Sequence, residues 1–157
     1  VDKLERLKSF IDILKKISDE FKLKIIWPIH PRSKKLLDKS NLILNSNKII
    51  IIKPTGFHDF VKLELQSFCV LTDSGTVQEE CSIYKKPVIT LRDTTERPET
   101  IESGSNIIIS NDINNIVNAI RFSTNKNVIN SSDTPKEYLA KNVSSRIIKI
   151  LLSKINY

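Results

Sequence analysis

Four consecutive isoleucines, Ile49–Ile52, behind Lys48 constrain the fold of this chain more than any other feature. A run that is apolar at every residue has no solvent face, so it reads as a central strand of a parallel sheet covered on both sides. Other, less uniformly apolar runs at 23–27 (stopped by Pro28), 68–71, 87–91 and 105–109 read as further strands. Helical periodicity fills the gaps. Leu4, Leu7, Phe10, Ile11, Leu14, Ile17 and Phe21 lie on one face of a helix over residues 2–21. Other helices are expected at 32–39, 57–66, 76–84 and 97–103, the last ended by Gly104. Two more, at 112–122 and 135–155, flank the polar stretch 123–134. Five strands alternating with helices predict an α/β fold with a doubly wound, Rossmann-like parallel sheet. Right-handed crossovers then bring every strand's C-terminal end to one edge, and with it His30, the turns at 55–60 and 74–76, and the loop at 92–97.

At 157 residues, all of the chain (1–157) is read as one domain. Its 39% hydrophobic and 27% charged residues fit a globular protein. No apolar run approaches the ~20 residues of a membrane span and no signal peptide opens the chain, so no membrane partner is expected. Cys69 and Cys81 fall in an expected strand and an expected helix. They are read as two buried thiols in a reducing compartment, hence a cytoplasmic location. The net charge of +7 comes from scattered lysines with no aromatic platform, so no nucleic acid is expected. No His/Cys/Asp/Glu cluster has metal-ligand spacing; no metal and no cofactor are expected. The chain has no methionine, even at position 1, and opens on a helix, which suggests a piece of a longer protein.

Chemistry concentrates in two stretches. In Leu71-Thr72-Asp73-Ser74-Gly75-Thr76-Val77-Gln78-Glu79-Glu80-Cys81, an apolar strand runs through a small-residue turn into a helix. The first N–H groups of such a helix lack partners and carry the positive end of its dipole, which suits an anion, most often phosphate. Ser74 adds a hydroxyl and Gly75 permits close approach. Equally, Asp73 or Ser74 caps the helix. The second stretch, Arg92-Asp93-Thr94-Thr95-Glu96-Arg97-Pro98-Glu99-Thr100, follows a strand. Its arginines either pair with Asp93, Glu96 and Glu99 in a rigid loop, or one of them meets a phosphate or carboxylate with its planar fork. Spacing does not separate these readings. His30, between Pro28 and Pro31, is either a surface histidine or a cleft residue. Phe60, beside Leu63 on a helix face, is core by default, and Glu80 complements a helix dipole. His58 reads as solvated, and Glu79 has no reason to point inward.

Asp73-Ser74-Gly75, Gln78-Glu79-Glu80 and Arg92-Asp93-Thr94-Thr95-Glu96-Arg97-Pro98-Glu99 followed by Gly104 resemble the non-hydrolysing UDP-N-acetylglucosamine 2-epimerases. The resemblance runs over nearly the whole chain, through Trp27-Pro28-Ile29-His30 and Phe60 to the last helix. It corresponds to the C-terminal, nucleotide-binding half of a two-domain GT-B enzyme, with the N-terminal domain absent. It implies UDP and a UDP-N-acetylhexosamine as partners and a homodimeric enzyme that inverts C2 by eliminating and re-adding UDP. It further implies UDP contacts from Phe60 (near the uracil), Ser74, Gly75, Thr76, Glu80 (on the ribose hydroxyls) and Arg97. His30 lines the cleft as a catalytic candidate, and the main catalytic acids are expected in the absent domain. Thr76-Val77-Gln78-Glu79-Glu80-Cys81 is more similar to the branch acting on 6-deoxy UDP-sugars in UDP-N-acetyl-L-fucosamine synthesis. Two rival readings stand beside it: the nucleotide half of a GT-B glycosyltransferase, and a non-catalytic UDP-sugar-binding remnant.

Overall fold

The computed structural model describes residues 3–40, 47–110 and 112–154. Helix α1 (Lys3–Phe21) forms on the expected periodicity and buries Leu7, Ile11, Leu14 and Ile17. Lys22, at φ 57°, ends it in the left-handed region. Strand and helix then alternate through β1 (Ile25–Pro28), α2 (Pro31–Lys39), β2 (Ile49–Ile52), α3 (Phe57–Gln66) and β3 (Val70–Thr72). Next come α4 (Gly75–Ile83), β4 (Val88–Thr90), α5 (Pro98–Glu102), β5 (Ile107–Ile108) and α6 (Ile113–Ser123). The chain closes with α7 (Lys126–Ser131), a 3-10 turn (Lys136–Leu139) and α8 (Val143–Lys154).

The described strand pairs are all parallel. β1 pairs with β2, Ile25 opposite Ile49, and a second ladder runs β3-β4-β5, with Val70 opposite Val88 and Ile89 opposite Ile107. Helices cover both faces of the second ladder. On one, Ile13 and Ile17 of α1 and Ile116, Ala119 and Ile120 of α6 close over Ile89. On the other, Val77 and Cys81 of α4 and Phe60 of α3 pack on Val70 and Val88. This is the expected doubly wound α/β arrangement. Burying each of these aliphatic side chains contributes roughly 1.5–3 kcal/mol relative to exposure. Ile25 of β1 packs into the same cluster as Leu71 of β3, so side chains join the ladders where no strand pairing links β1 to β3 among the described residues.

The four isoleucines form a strand, but not a central one. Among the described residues β2 pairs with β1 alone. α1 and α2 cover the face carrying Trp27, Ile49 and Ile51, while Ile26 and Ile50, opposite each other in register, are 47% and 40% exposed on the other face. Continuity of the apolar run therefore overstated how far helices wrap it. The expected terminal helix is also broken. Ala140 is extended and Asn142 takes φ 59°, separating the 3-10 turn from α8. The polar stretch at 123–134 hides α7, which Asn125 starts by accepting the Asn127 N–H at 2.9 Å. Gly104, at φ 71°, follows α5 as expected. Asp2 and Ile155, named above as helix ends, lie outside the described residues.

Candidate functional site

The C-terminal ends of β3 and β4 meet at the start of α4. Ser74 is the N-cap of α4 by backbone, yet its hydroxyl makes no capping bond. Its N–H donates to Thr72 Oγ1 at 3.0 Å, and its carbonyl accepts from both the backbone N–H and the Nε2 of Gln78. The Ser74 hydroxyl is thus not used to hold the helix, and the first-turn N–H groups lie beside it with the dipole's positive end.

A buried polar network holds the loop after β4 against this turn. Gln78, Thr90 and Thr100 are fully buried and Asn106 nearly so. Asn106 Nδ2 donates to Gln78 Oε1 at 3.1 Å and to Thr100 Oγ1 at 3.2 Å, and Thr90 Oγ1 donates to Asn106 Oδ1 at 3.0 Å. Thr95 Oγ1 donates to the same Gln78 oxygen at 2.8 Å and accepts the Arg97 N–H at 3.1 Å. Thr100 Oγ1 donates to the Arg97 carbonyl at 2.8 Å. Buried polar groups are costly unless paired, and this set pairs internally, so it fixes the loop's path. Sequence reasoning missed Thr90, Thr95, Thr100 and Asn106 as supports. The available signal was an asparagine heading an isoleucine strand.

Within the loop the arginines differ. Arg97 donates through Nε to Glu79 and through Nη1 to the Glu96 carbonyl at 3.1 Å. The Glu79 bond holds its guanidinium even more firmly in the charged form. Arg92 Nη1 pairs with Glu96 Oε2 at 3.0 Å on a more exposed surface. A Cβ at Gly75 would lie 2.6 Å from Glu96 Oε1 and 3.5 Å from the Arg97 guanidinium. Gly75 is therefore where both side chains close onto α4. Glu79, expected to face away, instead reaches Arg97. It lies one helical turn after Gly75 on the same face, and Pro98 at the start of α5 turns Arg97 back toward it. Tyr138 of the 3-10 turn donates to Glu99 of α5 and so lowers the Glu99 pKa.

Glu96 and Arg97 thus meet α4 at Gly75, the residue after Ser74, and Thr76 is exposed. Phe60 and Glu80 sit behind them where α3 meets α4. Phe60 is half-buried against Val77, Cys81 and Val88, and Glu80 faces Glu64 of α3. His30 stands apart. It is the exposed N-cap of α2, its Nδ1 accepting the Arg32 N–H at 3.2 Å. Cys69 and Cys81 are free thiols; burial pushes both up, Cys69 to about 12. Among the described residues no group of three His, Cys, Asp or Glu is placed to hold a metal, and no helix is long and apolar enough to cross a membrane. N–H groups, a hydroxyl and an arginine at one helix start are donors for an anion.

The family model described as UDP-N-acetylglucosamine 2-epimerase matches residues 1–152. Over 129 residues the chain is 46% identical to a UDP-N-acetylglucosamine 2-epimerase of Methanocaldococcus jannaschii, covering 80% of this chain and 35% of that protein. Over 146 residues it is 32% identical to a UDP-2,3-diacetamido-2,3-dideoxy-D-glucuronate 2-epimerase of Pseudomonas aeruginosa, covering 93% of this chain and 39% of that one. A crystal structure of the Methanocaldococcus jannaschii UDP-GlcNAc 2-epimerase, in complex with UDP-GlcNAc and UDP, superposes with a TM-score of 0.84 at 40% identity. That superposition covers 98% of this chain and 42% of the other. Such enzymes have the GT-B fold. The chain spans well under half the length of these relatives, and over that span it belongs to the UDP-N-acetylglucosamine 2-epimerase family, a family of isomerases.

Proposed function

We propose that this chain is the UDP-binding, C-terminal half of a cytoplasmic UDP-N-acetylhexosamine 2-epimerase. The observation that carries the reading is the start of α4, where the Ser74 hydroxyl makes no capping bond and the next residue, Gly75, meets the Arg97 guanidinium and the end of the Glu96 side chain. The diphosphate sits against the α4 N-terminus, Glu80 accepts from the ribose hydroxyls, Phe60 borders the uracil and His30 lines the cleft. Similarity to relatives with UDP and UDP-GlcNAc in their names supports the ligand class, and the family's range of sugars keeps the hexosamine general. Exposed Ile147, Ile148, Ile150, Leu151 and Leu152 on α8 support a larger enzyme in which more protein covers that helix.

In the reaction the C2 proton leaves to a base and the C1–O bond breaks with its electron pair on UDP, giving a 2-acetamidoglycal. UDP oxygen then re-forms the bond to C1 as a proton arrives on the opposite face of C2. Negative charge grows on the diphosphate as C1–O breaks. Fixed N–H donors and Arg97 stabilise that charge without reorganising, and they hold UDP within reach for the return step.

Calorimetric titration with UDP tests the site. A Kd of ~0.1–1 mM is expected for half a cleft, requiring roughly −4 to −5.5 kcal/mol. No heat and no thermal shift at millimolar UDP would remove the site. In deuterated water the chain by itself should leave the C2 proton of UDP-N-acetylglucosamine unexchanged; incorporation would put a base on this chain, with His30 the first candidate.

A further inference from the structure

Glu64 is a carboxylic acid in the wrong place for a core residue. It lies in the last turn of α3, is 3% exposed, and neither carboxyl oxygen has a hydrogen-bond partner. It follows Phe60 by one helical turn, so both side chains leave the same face of α3 toward α4. Phe60 meets Val77 and Cys81, while Glu64 meets Glu80 and Cys81. The two residues assigned above to uracil and ribose thus lie on one helix interface, and Glu64 is the buried group behind the second.

We propose that Glu64 is a positioning residue for Glu80: in its acid form it donates a hydrogen bond to the Glu80 carboxylate and turns that group's free oxygen toward the ribose hydroxyls of bound UDP. The inference rests on the UDP reading of the site. A lone buried carboxylate is strongly disfavoured, and a second carboxylate beside it adds repulsion, so the shared-proton pair is the arrangement that satisfies both. Burial first, and Glu80 second, push the Glu64 carboxyl up to about 7. Beyond Glu80, Glu64 neighbours Cys81 of α4, and that thiol in turn neighbours Cys69 ahead of β3 and Lys86 ahead of β4, whose Nζ donates to the Ser67 carbonyl at 2.8 Å. Neither thiol ionises in this range, because burial raises both. Glu64 and Glu80 are apposed without a formed hydrogen bond; in the proposal, ligand contact with Glu80 brings the two carboxyl groups into bonding distance.

The test is calorimetric titration with UDP at pH 6 and pH 8 for the wild-type chain, Glu64→Gln and Glu64→Leu, with thermal melts of each. An acid titrating near 7 is about nine-tenths protonated at pH 6 and one-tenth at pH 8. The wild-type Kd should therefore rise about tenfold more over this interval than the Glu64→Gln Kd, since an amide donates at both pH values. The terminal phosphate of UDP titrates here too, and the ratio between proteins removes it. Glu64→Gln should match wild-type binding at pH 6 and exceed it at pH 8, whereas Glu64→Leu should weaken pH 6 binding about tenfold with an equal or higher Tm. The melts carry a second signature. The folded chain holds this proton more tightly than the unfolded chain, so Glu64's contribution is full below about pH 4.5 and lost as pH rises through about 7. Wild-type Tm should fall over that window relative to Glu64→Gln. Wild-type binding that Glu64→Leu leaves intact, or a Glu64→Gln profile as steep as wild type, overturns the positioning role alone. Should Glu64→Leu fail to fold, the wild-type and Glu64→Gln profiles decide. Absence of UDP binding by the wild type overturns the site and this inference together.

Discussion

The two strand ladders of this protein are built on different principles. Around β1 and β2 the packing is apolar: Leu7, Ile11, Ile29 and Leu37 meet Trp27 and Ile51, and the opposite face leaves Ile26 and Ile50 exposed. Around β3, β4 and β5, helices cover both faces and the buried set includes Gln78, Thr90, Thr100 and Asn106. Apolar contacts hold elements together without directing them closely. Directional hydrogen bonds fix a loop's path, and the loop fixed here carries Arg97 to the start of α4. The ladder with the costlier interior is the one that carries the proposed site.

Removing each kind of interior separates the two regions most strongly. Asn106→Leu strips partners from Thr90, Thr100 and Gln78 and should cost about 2–4 kcal/mol. For a chain of this size that lowers Tm by roughly 4–16 °C, and UDP affinity should fall with it. Ile11→Ala, in the apolar cluster, should cost about 2–5 kcal/mol yet leave UDP affinity near wild type once folded. Equal affinity losses in the two variants would mean that stability alone, not loop placement, governs binding.

Ser74→Ala combined with Glu80→Ala tests the site with its interior untouched. Calorimetry should detect no UDP binding, while Tm shifts little because the Ser74 hydroxyl caps nothing. Persisting heat would put the pocket elsewhere.

The arginines give a finer contrast. Arg97→Lys should weaken UDP about tenfold, since an ammonium cannot reproduce the fork that meets Glu79 and the Glu96 carbonyl and that, in the proposed site, also meets a phosphate. The Arg92–Glu96 pair is exposed, so Arg92→Lys should cost no more than about 1 kcal/mol and barely change affinity. Identical titrations for the two variants would erase the difference in role. The smallest stability change should come from Gly75→Ala. Its methyl group displaces only the end of the Glu96 side chain, so Tm should hold while UDP affinity drops a few-fold.

Much of this was readable from the residues. Phe57–Gln66 was predicted as a helix with those bounds, and every strand overlaps an apolar run, β1 and β3 running on to Pro28 and Thr72. The turn at 74–76 and the loop at 92–97 stood out because they interrupt regular patterns with residues suited to anions. What escaped was pairwise. Glu79 looked like a solvated helix acid because nothing in its own neighbourhood names Arg97, 18 positions away. Glu64 sits inside an ordinary helical stretch, and its burial depends on α4. The network around Asn106 joins residues from α4, β4, the following loop and α5, with no local sequence signature.

The sequence by itself determined the α/β class and the parallel sheet, because period-2 and period-3.6 patterns and short connections are local properties. Only the tertiary structure decided that the isoleucine strand is half-covered, that the Ser74 hydroxyl is not used as a cap, that Glu79 faces Arg97 and that Glu64 lies buried against Glu80. Burial and hydrogen-bond partnership depend on which elements meet in space, and desolvation, which sets the charge state of a group like Glu64, exists only after they have met.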